Sequence, residues 1–383
     1  MCFLKNVKTD SISNILRNYD LCSYCINRLM PKNFIKKDSL QIRKKQFKKA
    51  KKELIKKCFI CKNIFEKLNP VLNNIYEKTS NYDFKTFQIG ITLQPSFLDR
   101  DDFIRSKLKI HGTENIKFGI LTELSKKISQ RTCSVREINE PDLFIEVILK
   151  DESCTIRSKP VFVYGRYNKT VRNLPQKKNI CKKCSGIGCH NCGFNGVLNE
   201  ISVESKISNF LKSKFECSTI KINWIGGEDQ YSLVLGNGRP FFAKLNNPKK
   251  RNYVLRKKSD QRGIYLSELK KLKHQPKGFI PFKSEVDITV ISKSPINLSK
   301  LKKLKILEKN QVQFVSKGKM ISKKIYHINY KKVGNNTLNL NLLLDGGIPI
   351  KSLIETNDVT PNISHLLENI CRCKKFDFKR ILI

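Results

Sequence analysis

The sequence predicts an α+β protein with a cysteine-rich helical segment, a small α/β domain and a larger domain built on an antiparallel sheet. Three observations predict this organisation. Many short apolar segments alternate at period two, as half-buried strands do, whereas fewer segments have helical spacing. Eight of the 14 cysteines occur as four CxxC pairs, in two separate sets. At 383 residues, the chain is long enough for two or three domains.

The first 80 residues are expected to be helical and to bind a metal ion. An apolar face formed by Ile12, Ile15, Leu16 and Tyr19 leads into the first set of cysteines, Cys22/Cys25 and Cys58/Cys61. The lysine-rich stretch between these pairs has one apolar helical face: Leu40, Phe47, Ala50 and Leu54. Two thiolates three positions apart can occupy adjacent corners of one tetrahedron, so both pairs are expected to share a zinc ion. A redox role or a partner contact is the alternative.

The second set of cysteines is compact and predicts a zinc ribbon at residues 179–198. Its ligands are Cys181, Cys184, Cys189 and Cys192, with four residues between the two pairs. Interleaved glycines permit the positive φ angles of tight knuckles. Four thiolates complete the shell, so His190 is expected at the surface. In a cytoplasmic protein such pairs indicate metal sites rather than disulfides.

Residues 81–178 are expected to form the small α/β domain. Phe87, Ile89 and Ile91 alternate as in a half-buried strand, and a helical stretch with Ile116, Ile120, Leu121, Leu124 and Ile128 follows. Two further strands are predicted in DLFIEVILK and KPVFVYGRYNK.

Residues 199–383 are expected to form an α+β domain with a sizeable antiparallel sheet. Strands are predicted in STIKINWI, YSLVLG, RPFFAKL, SEVDITVIS, KKIYHINY and TLNLNLLLD, and helices in LSELKKLKHQ, IKSLIET and ISHLLENI. Gly236, Gly238 and Pro240 are interpreted as turn residues.

The charge indicates a polyanionic partner. Lys and Arg number 75 against 33 Asp and Glu, a formal net charge of +42. Nucleic acid would neutralise this charge with release of counterions. An anionic membrane surface and a lysine-rich composition inherited from an AT-biased genome are the alternatives. No apolar run is long enough to span a bilayer and no signal peptide is apparent, so a cytoplasmic location without membrane association is expected.

Two adjacent carboxylates, Glu228 and Asp229, follow a glycine pair between predicted strands. From spacing alone, a β-turn with solvated carboxylates is the favoured interpretation. The chain has no P-loop, no zincin His pair and no GxGxxG motif after a strand. The CxxC sets lack the His-x-Glu partner of zinc deaminases. Zinc is therefore expected to be structural.

Four separate segments together resemble the archaeal-type tRNA pseudouridine synthases that carry an N-terminal THUMP-related domain. These segments span residues 159–196, 202–207, 226–251 and 345–367. The resemblance covers essentially the whole chain. It implies a C-terminal pseudouridine synthase domain preceded by a zinc-bound, THUMP-like RNA-binding module, and pseudouridine formation in the TΨC loop of tRNA at positions 54 and 55. It also implies that no organic cofactor is needed, and a monomer is expected.

The resemblance assigns three site residues. Asp229 matches the catalytic aspartate of a Gly-Arg-Glu-Asp run, Tyr326 matches the tyrosine of a Lys-x-Tyr motif, and Lys351 matches the basic residue that pairs with the aspartate. Gly227 stands where the family has Arg. Pro349 replaces a tyrosine on the substrate side, which favours activity at position 55 over position 54. The implied roles are nucleophilic attack by the aspartate on ribose C1′, or assistance of uracil elimination, and stacking of the tyrosine on the flipped base.

Two other functions compete with this expectation. A non-catalytic tRNA-binding or chaperone protein would explain the charge and the cysteines without needing Asp229. A THUMP-bearing methyltransferase or thiolase would need a nucleotide or S-adenosylmethionine site, and no such glycine-rich motif is visible.

Overall fold

The computed structural model describes residues 18–29, 57–109, 113–199, 201–251 and 258–383. The chain divides into two compact units, Met1–Lys159 and Pro160–Ile383. The predicted lysine-rich helix between the first CxxC pairs and the apolar residues Ile12, Ile15 and Leu16 lie outside the described residues. Among the described helices, none is long and apolar enough to cross a membrane.

The first unit packs helices against a four-stranded sheet. Its helices are Ser23–Leu29 (α1), Leu68–Thr79 (α2), Pro95–Leu108 (α3) and Ile116–Thr132 (α4), and its strands are Thr86–Thr92 (β1), Val135–Arg136 (β2), Leu143–Ile148 (β3) and Ser153–Ser158 (β4). The strand order is β2-β1-β3-β4, and only the β3–β4 pair is antiparallel. The predicted strand at Phe87 and the predicted helix at Ile116 are confirmed, because their apolar residues are buried as the periodicity requires, apart from Leu121, which is half-buried.

A buried ion pair ties the helices of this unit together. Arg28 of α1 pairs with Asp101 of α3, and both side chains are almost fully buried. Asp101 Oδ2 also accepts a hydrogen bond from the main-chain amide of Ile116, at the first turn of α4. Arg28 Nη1 donates to the carbonyl of Glu114 at 2.7 Å. A single carboxylate therefore joins three helices.

The second unit is built on a nine-stranded sheet. Its strands are Val161–Lys169 (β5), Thr219–Trp224 (β8), Val234–Asn246 (β9), Lys258–Asp260 (β10), Ile264–Leu272 (β11), Lys283–Ser292 (β12), Ile325–Gly334 (β15), Thr337–Asp345 (β16) and Cys371–Leu382 (β18). The order is β10-β11-β5-β9-β18-β12-β16-β15, with β8 also on β9. All pairs are antiparallel except β18 with β9, which confirms the predicted class.

Smaller elements complete the second unit. They are Asn179–Ile180 (β6), Val197–Asn199 (β7), Val203–Phe215 (α5), Leu298–Leu301 (α6), Ile306–Lys309 (α7), Val312–Ser316 (β13), Lys319–Lys323 (β14), Ile350–Glu355 (α8), Val359–Thr360 (β17) and Ile363–Leu367 (α9). β6 pairs with β7, and β13 pairs with β14 and β17. The helices predicted in IKSLIET and ISHLLENI are confirmed as α8 and α9.

Strand β5 joins the large sheet, although its residues fall within the range 81–178 drawn for the small domain. It pairs with β9 on one edge and with β11 on the other. Five consecutive residues of β5, Val163–Tyr167, are buried. A strand that is buried on both faces needs partners on both edges, which the large sheet supplies.

The helix predicted in LSELKKLKHQ is wrong, because this segment forms β11. Leu266 and Leu269 are three positions apart, a helical spacing, yet both are buried against the sheet. A bulge between Ser267 and Lys270 inserts an extra residue, and Glu268 takes a φ of 51°. The bulge turns both leucines to the same face and so reproduces a helical spacing within a strand.

The turn predicted at Gly236, Gly238 and Pro240 is also wrong, because β9 runs through all three residues. The two glycines have φ angles of 54° and 71°. A Cβ at Gly236 would lie 2.1 Å from the Lys379 carbonyl oxygen of β18. A Cβ at Gly238 would lie 2.8 Å from the Tyr167 carbonyl oxygen of β5. The glycines therefore allow close approach of both neighbouring strands.

We expect Asp101→Asn to destabilise the first unit by about 3–5 kcal/mol, because it leaves Arg28 buried without a counter-charge. Amide hydrogen exchange at the first turn of α4 measures this loss locally. Glu146→Gln is the control, since its ion pair with Arg157 is solvent-exposed and is expected to contribute less than about 1 kcal/mol. Equal exchange in both variants would contradict the role given to Asp101.

Candidate active site

Asp229 lies in the loop between β8 and β9, and its orientation is fixed by its own neighbours. Its Oδ1 accepts a hydrogen bond from the amide of Tyr231 at 2.9 Å. Its main-chain carbonyl accepts from the Ser232 hydroxyl at 2.9 Å and from the Ser232 amide at 3.1 Å. The carboxylate is 26% exposed. It is therefore both oriented and reachable.

Lys351 reaches this carboxylate from α8. Its Nζ lies 2.8 Å from Asp229 Oδ2, and the lysine side chain is 52% exposed. Burial raises the pKa of Asp229, but the hydrogen bonds from Lys351 and the Tyr231 amide outweigh it, and the pKa lies below its usual value. The same hydrogen bond raises the pKa of Lys351. At neutral pH the pair is a carboxylate and an ammonium group.

Tyr326 lies at the start of β15 and bonds to a different carboxylate. Its hydroxyl donates to Asp345 Oδ1 at 3.0 Å. Lys283 Nζ lies 3.9 Å from the centre of its ring, and Lys324 Nζ lies at 5.5 Å. Within the described part of the chain, no hydrogen bond joins Tyr326 to Asp229. The structure thus brings Asp229 and Lys351 together, and it places Tyr326 against Asp345, the last residue of β16, from which the chain leads into α8.

A buried lysine holds the main chain of the Asp229 loop. Lys169, the last residue of β5, donates to the carbonyls of Asp229 at 3.0 Å and Gln230 at 3.3 Å. It also donates to the Leu174 carbonyl at 3.0 Å. Its side chain is fully buried, and burial lowers its pKa even though Glu228 acts in the opposite direction. The sequence patterns gave no signal for this residue, because β5 also contains Arg166 and Asn168 and a polar residue at its end is ordinary.

Glu228 is the counter-charge of this lysine and is not a solvated carboxylate, contrary to the interpretation from spacing. Its side chain is fully buried. Its Oε1 lies 3.3 Å from Lys169 Nζ, and its Oε2 lies 3.6 Å from the Nε of Arg239. Arg239 in turn donates to the Ile225 carbonyl at 2.9 Å. Gln176 donates to the Gly226 carbonyl at 3.3 Å, so side chains hold the loop from Ile225 to Gln230.

A second ion pair anchors the far end of the loop to β18. Arg172 binds both carboxylate oxygens of Asp377, at 2.8 and 2.7 Å. Arg172 also donates to the carbonyl of Tyr231, and Asp377 Oδ1 accepts from the amide of Leu233 at 2.8 Å. The fork geometry of a bidentate arginine–carboxylate pair restricts the orientation of both groups.

Both predicted cysteine quartets assemble. In each, the four Sγ atoms lie within 4.8 Å of one another. Cys22 and Cys61 Sγ are 3.4 Å apart, and Cys184 and Cys192 Sγ are 3.8 Å apart. Zn–S bonds of about 2.3 Å in a tetrahedron would place the sulfurs about 3.8 Å apart. The amides of Cys22 and Gly188 donate to the sulfurs of Cys58 and Cys184, and such hydrogen bonds orient thiolate ligands around a metal. Both sets fit one zinc ion each.

The sequence matches two family profiles. The profile described as "Pus10, C-terminal" matches residues 162–381, and that described as "Pus10 THUMP domain, archaeal" matches residues 72–148. The tRNA pseudouridine synthase Pus10 of Nitrosopumilus maritimus is 41% identical over 96% of this chain and 96% of its own length. That of Cenarchaeum symbiosum is 30% identical over 96% of this chain and 91% of its own length.

Solved structures also resemble the chain at low similarity. In a Cbf5-Nop10-Gar1 complex, for example, the match covers 46% of this chain and 44% of the matched chain, at 12% sequence identity and with a TM-score of 0.29. That score is too low for a comparison of sites.

We expect Lys169→Met to loosen the Asp229 loop, because three carbonyls lose a donor and Glu228 loses its closest cation. Each lost hydrogen bond to a charged group contributes about 1.5–3 kcal/mol, so the amides of Tyr231 and Ser232 should exchange hydrogen at least about tenfold faster. Lys332→Met is a matched control, since Lys332 also donates to a carbonyl, that of Ile296. Unchanged exchange at Tyr231 in Lys169→Met, with β12 and β16 still protected, would contradict this role.

Proposed function

The chain belongs to the Pus10 family of tRNA pseudouridine synthases, and we propose that it isomerises the uridine at position 55 of the TΨC loop with Asp229 as the nucleophile. The observation that carries the proposal is the Asp229–Lys351 pair. A carboxylate that is oriented by two hydrogen bonds and kept ionised by an ammonium group 2.8 Å away suits attack at a sugar carbon.

The reaction needs no atom from outside the substrate. The C1′–N1 bond of uridine breaks, the uracil rotates, and a C1′–C5 bond forms. C5 then loses a proton and N1 gains one, so the product is an isomer. Asp229 would hold C1′ through a transient ester, or stabilise the positive charge that develops there as uracil leaves. In either case the carboxylate must be ionised, which its lowered pKa supports.

Tyr326 and Asp345 are suited to the proton transfer. The Tyr326 hydroxyl donates to Asp345, which leaves the lone pairs of the phenol oxygen free to accept the C5 proton as its own proton passes to Asp345. Lys283 now covers one face of the ring, and a flipped uracil would take that place. A base in a tRNA loop is cheaper to flip than one in a duplex.

Position 55 is favoured over position 54 because of the segment that leads into α8. Pro349 stands where the family carries a tyrosine and is the N-cap residue of this helix, two residues before Lys351. A proline offers neither a phenol hydroxyl nor an aromatic face to the substrate.

The remaining features are proposed to serve tRNA binding. Each cysteine quartet would hold one structural zinc ion. The part of the predicted domain 81–178 that lies in the first unit, residues 81–159, overlaps the matched THUMP profile and would bind tRNA phosphates and shape. A cytoplasmic location, where thiols stay reduced, fits both quartets, and a monomer suffices because Asp229, Tyr326 and Lys351 come from one chain.

Position-specific pseudouridine mapping on a tRNA transcript tests the proposal, with no cofactor added. Wild type should convert uridine 55 without a change in mass, and Asp229→Asn should lower the rate by at least about 10³-fold while tRNA still binds. Asp358→Asn is the control, since this carboxylate is exposed and its hydrogen bond among the described residues is a local one from Thr356. Conversion by Asp229→Asn at the wild-type rate would refute the nucleophile, and conversion solely at another uridine would refute the position.

The pH profile of Lys351→Gln tests the ion pair. Removing the ammonium group takes away the strongest influence that lowers the pKa of Asp229, so that pKa should rise. The acidic limb of the rate profile should therefore move to higher pH, whereas in wild type it lies below the ordinary aspartate value of about 3.9. Lys351→Arg retains the charge and should keep the limb low. If the acidic limb of Lys351→Gln stayed at the wild-type pH, Lys351 would not control the pKa of Asp229.

A further inference from the structure

The zinc ribbon of residues 179–198 exposes apolar side chains that the fold does not use. Ile187 is 89% exposed, Phe194 is 67% exposed and Ile180 is 60% exposed. Such residues normally lie inside, and several together on one small element indicate a contact surface. The ribbon is rigid enough to present them, because four cysteine sulfurs and the β6–β7 pair hold its main chain.

Phe194 is unusual in its backbone as well as in its exposure. Its φ is 63°, the left-handed region that a bulky residue rarely adopts. The knuckle imposes this conformation, because the Phe194 amide donates to the Cys189 carbonyl at 2.9 Å. The main chain is also closely packed there, since a Cβ on Gly188 would lie 2.5 Å from the Phe194 carbonyl oxygen. Glycine or asparagine would suit this position better.

The ring of Phe194 makes few packing contacts that could offset this backbone strain. Its described ring contact is with His190, whose ring centre lies 5.0 Å away at an interplanar angle of 58°. A strained backbone that carries an exposed aromatic ring points to a function outside the fold. The ring is therefore available to a flat partner on the side away from His190.

The net positive charge of the ribbon indicates the kind of partner. Residues 177–199 contain four lysines, Lys177, Lys178, Lys182 and Lys183, and no Asp or Glu. All four lysines are exposed. Glu204 accepts a hydrogen bond from the Lys178 amide at the base of the ribbon. A small element that carries both an exposed aromatic ring and exposed lysines is suited to unpaired nucleotides, with stacking on the ring and phosphates on the ammonium groups.

We propose that the ribbon is a second RNA contact, in which Phe194 stacks on an unpaired base of the tRNA while Lys182 and Lys183 bind flanking phosphates. This inference rests on the proposed function in one respect, namely that the bound polyanion is tRNA. It assigns the ribbon a role in substrate binding beyond bracing the fold. The contact is separate from the Asp229 chemistry, and it is expected to set tRNA affinity rather than the rate at saturation.

Substitutions of Phe194 in the full chain separate this role from a structural one. Phe194→Asn should leave the melting temperature and the zinc content unchanged or higher, because asparagine tolerates the left-handed φ. The same variant should bind an unmodified tRNA transcript roughly 5- to 100-fold more weakly, the range that loss of one stacked base implies. Phe194→Trp should keep the wild-type affinity, whereas Phe194→Leu should bind as weakly as Phe194→Asn.

The lysines provide an independent readout through salt. The double variant Lys182→Gln/Lys183→Gln should reduce the slope of log Kd against log salt concentration by up to about 1.4, or about 0.7 for each phosphate that is no longer neutralised. All affinities are measured by titration of the zinc-loaded protein with tRNA at several salt concentrations. Pseudouridine formation at saturating tRNA should stay at the wild-type rate in every ribbon variant.

Several outcomes would overturn the ribbon contact. Phe194→Asn could bind tRNA like wild type, as a docking site for a protein would require. Phe194→Leu could retain full affinity, which would show an apolar contact without stacking. Phe194→Asn could lose zinc and melt earlier, which would make the ring a structural residue. Failure of wild type to form pseudouridine would instead refute the proposed function, and the Kd comparison would still decide the ribbon contact.

Discussion

The site depends on the hydrogen bonds that the buried ammonium group of Lys169 donates to the main chain. The loop between β8 and β9 has carbonyls that no strand partner satisfies, and buried main-chain oxygens need donors. Lys169 supplies hydrogen bonds to two of these carbonyls and to that of Leu174 from the end of β5. Burial lowers the pKa of Lys169, and Glu228 and Asp229 act in the opposite direction. Glu228 lies in turn beside Arg239, which donates to the Ile225 carbonyl. Removing Glu228 would leave two buried cations without their counter-charge, and removing either cation would leave Glu228 with one partner instead of two.

Local patterns predicted the fold wherever side chains alternate without interruption. Phe87, Ile89 and Ile91 define β1, and the cysteine spacing defines both quartets. The pattern failed where the backbone departs from regular geometry. The bulge in β11 gave a strand the spacing of a helix, and Gly236 and Gly238 resembled a turn because their conformation serves neighbouring strands. Both features depend on contacts with strands that are distant in sequence, so no short stretch of sequence reveals them.

The residues of the site also fall into two groups, those that the sequence identified and those that only the structure identified. Motif resemblance identified Asp229 and Lys351, and the structure places them 2.8 Å apart. Lys169, Glu228 and Arg239 lie within the segments that carry the resemblance, but the resemblance assigns them no role. Their importance comes from burial, which the sequence does not display. Tyr326 was assigned by resemblance, but its bond to Asp345 depends on the register of β15 against β16. The residues proposed to contact substrate are recognisable by motif, whereas the buried residues that support them are recognisable only in the structure.

The position of β18 has a consequence for biosynthesis. This strand, which ends at Leu382, lies between β9 and β12 and joins the two halves of the large sheet. Its Asp377 also anchors the Asp229 loop through Arg172. During translation, the cysteine quartets and the first unit emerge early and can fold on local contacts, but the sheet stays open until the last of these residues leave the ribosome. If the first unit and the ribbon bind RNA as proposed, a nascent chain would therefore bind RNA before the sheet that carries Asp229 is complete.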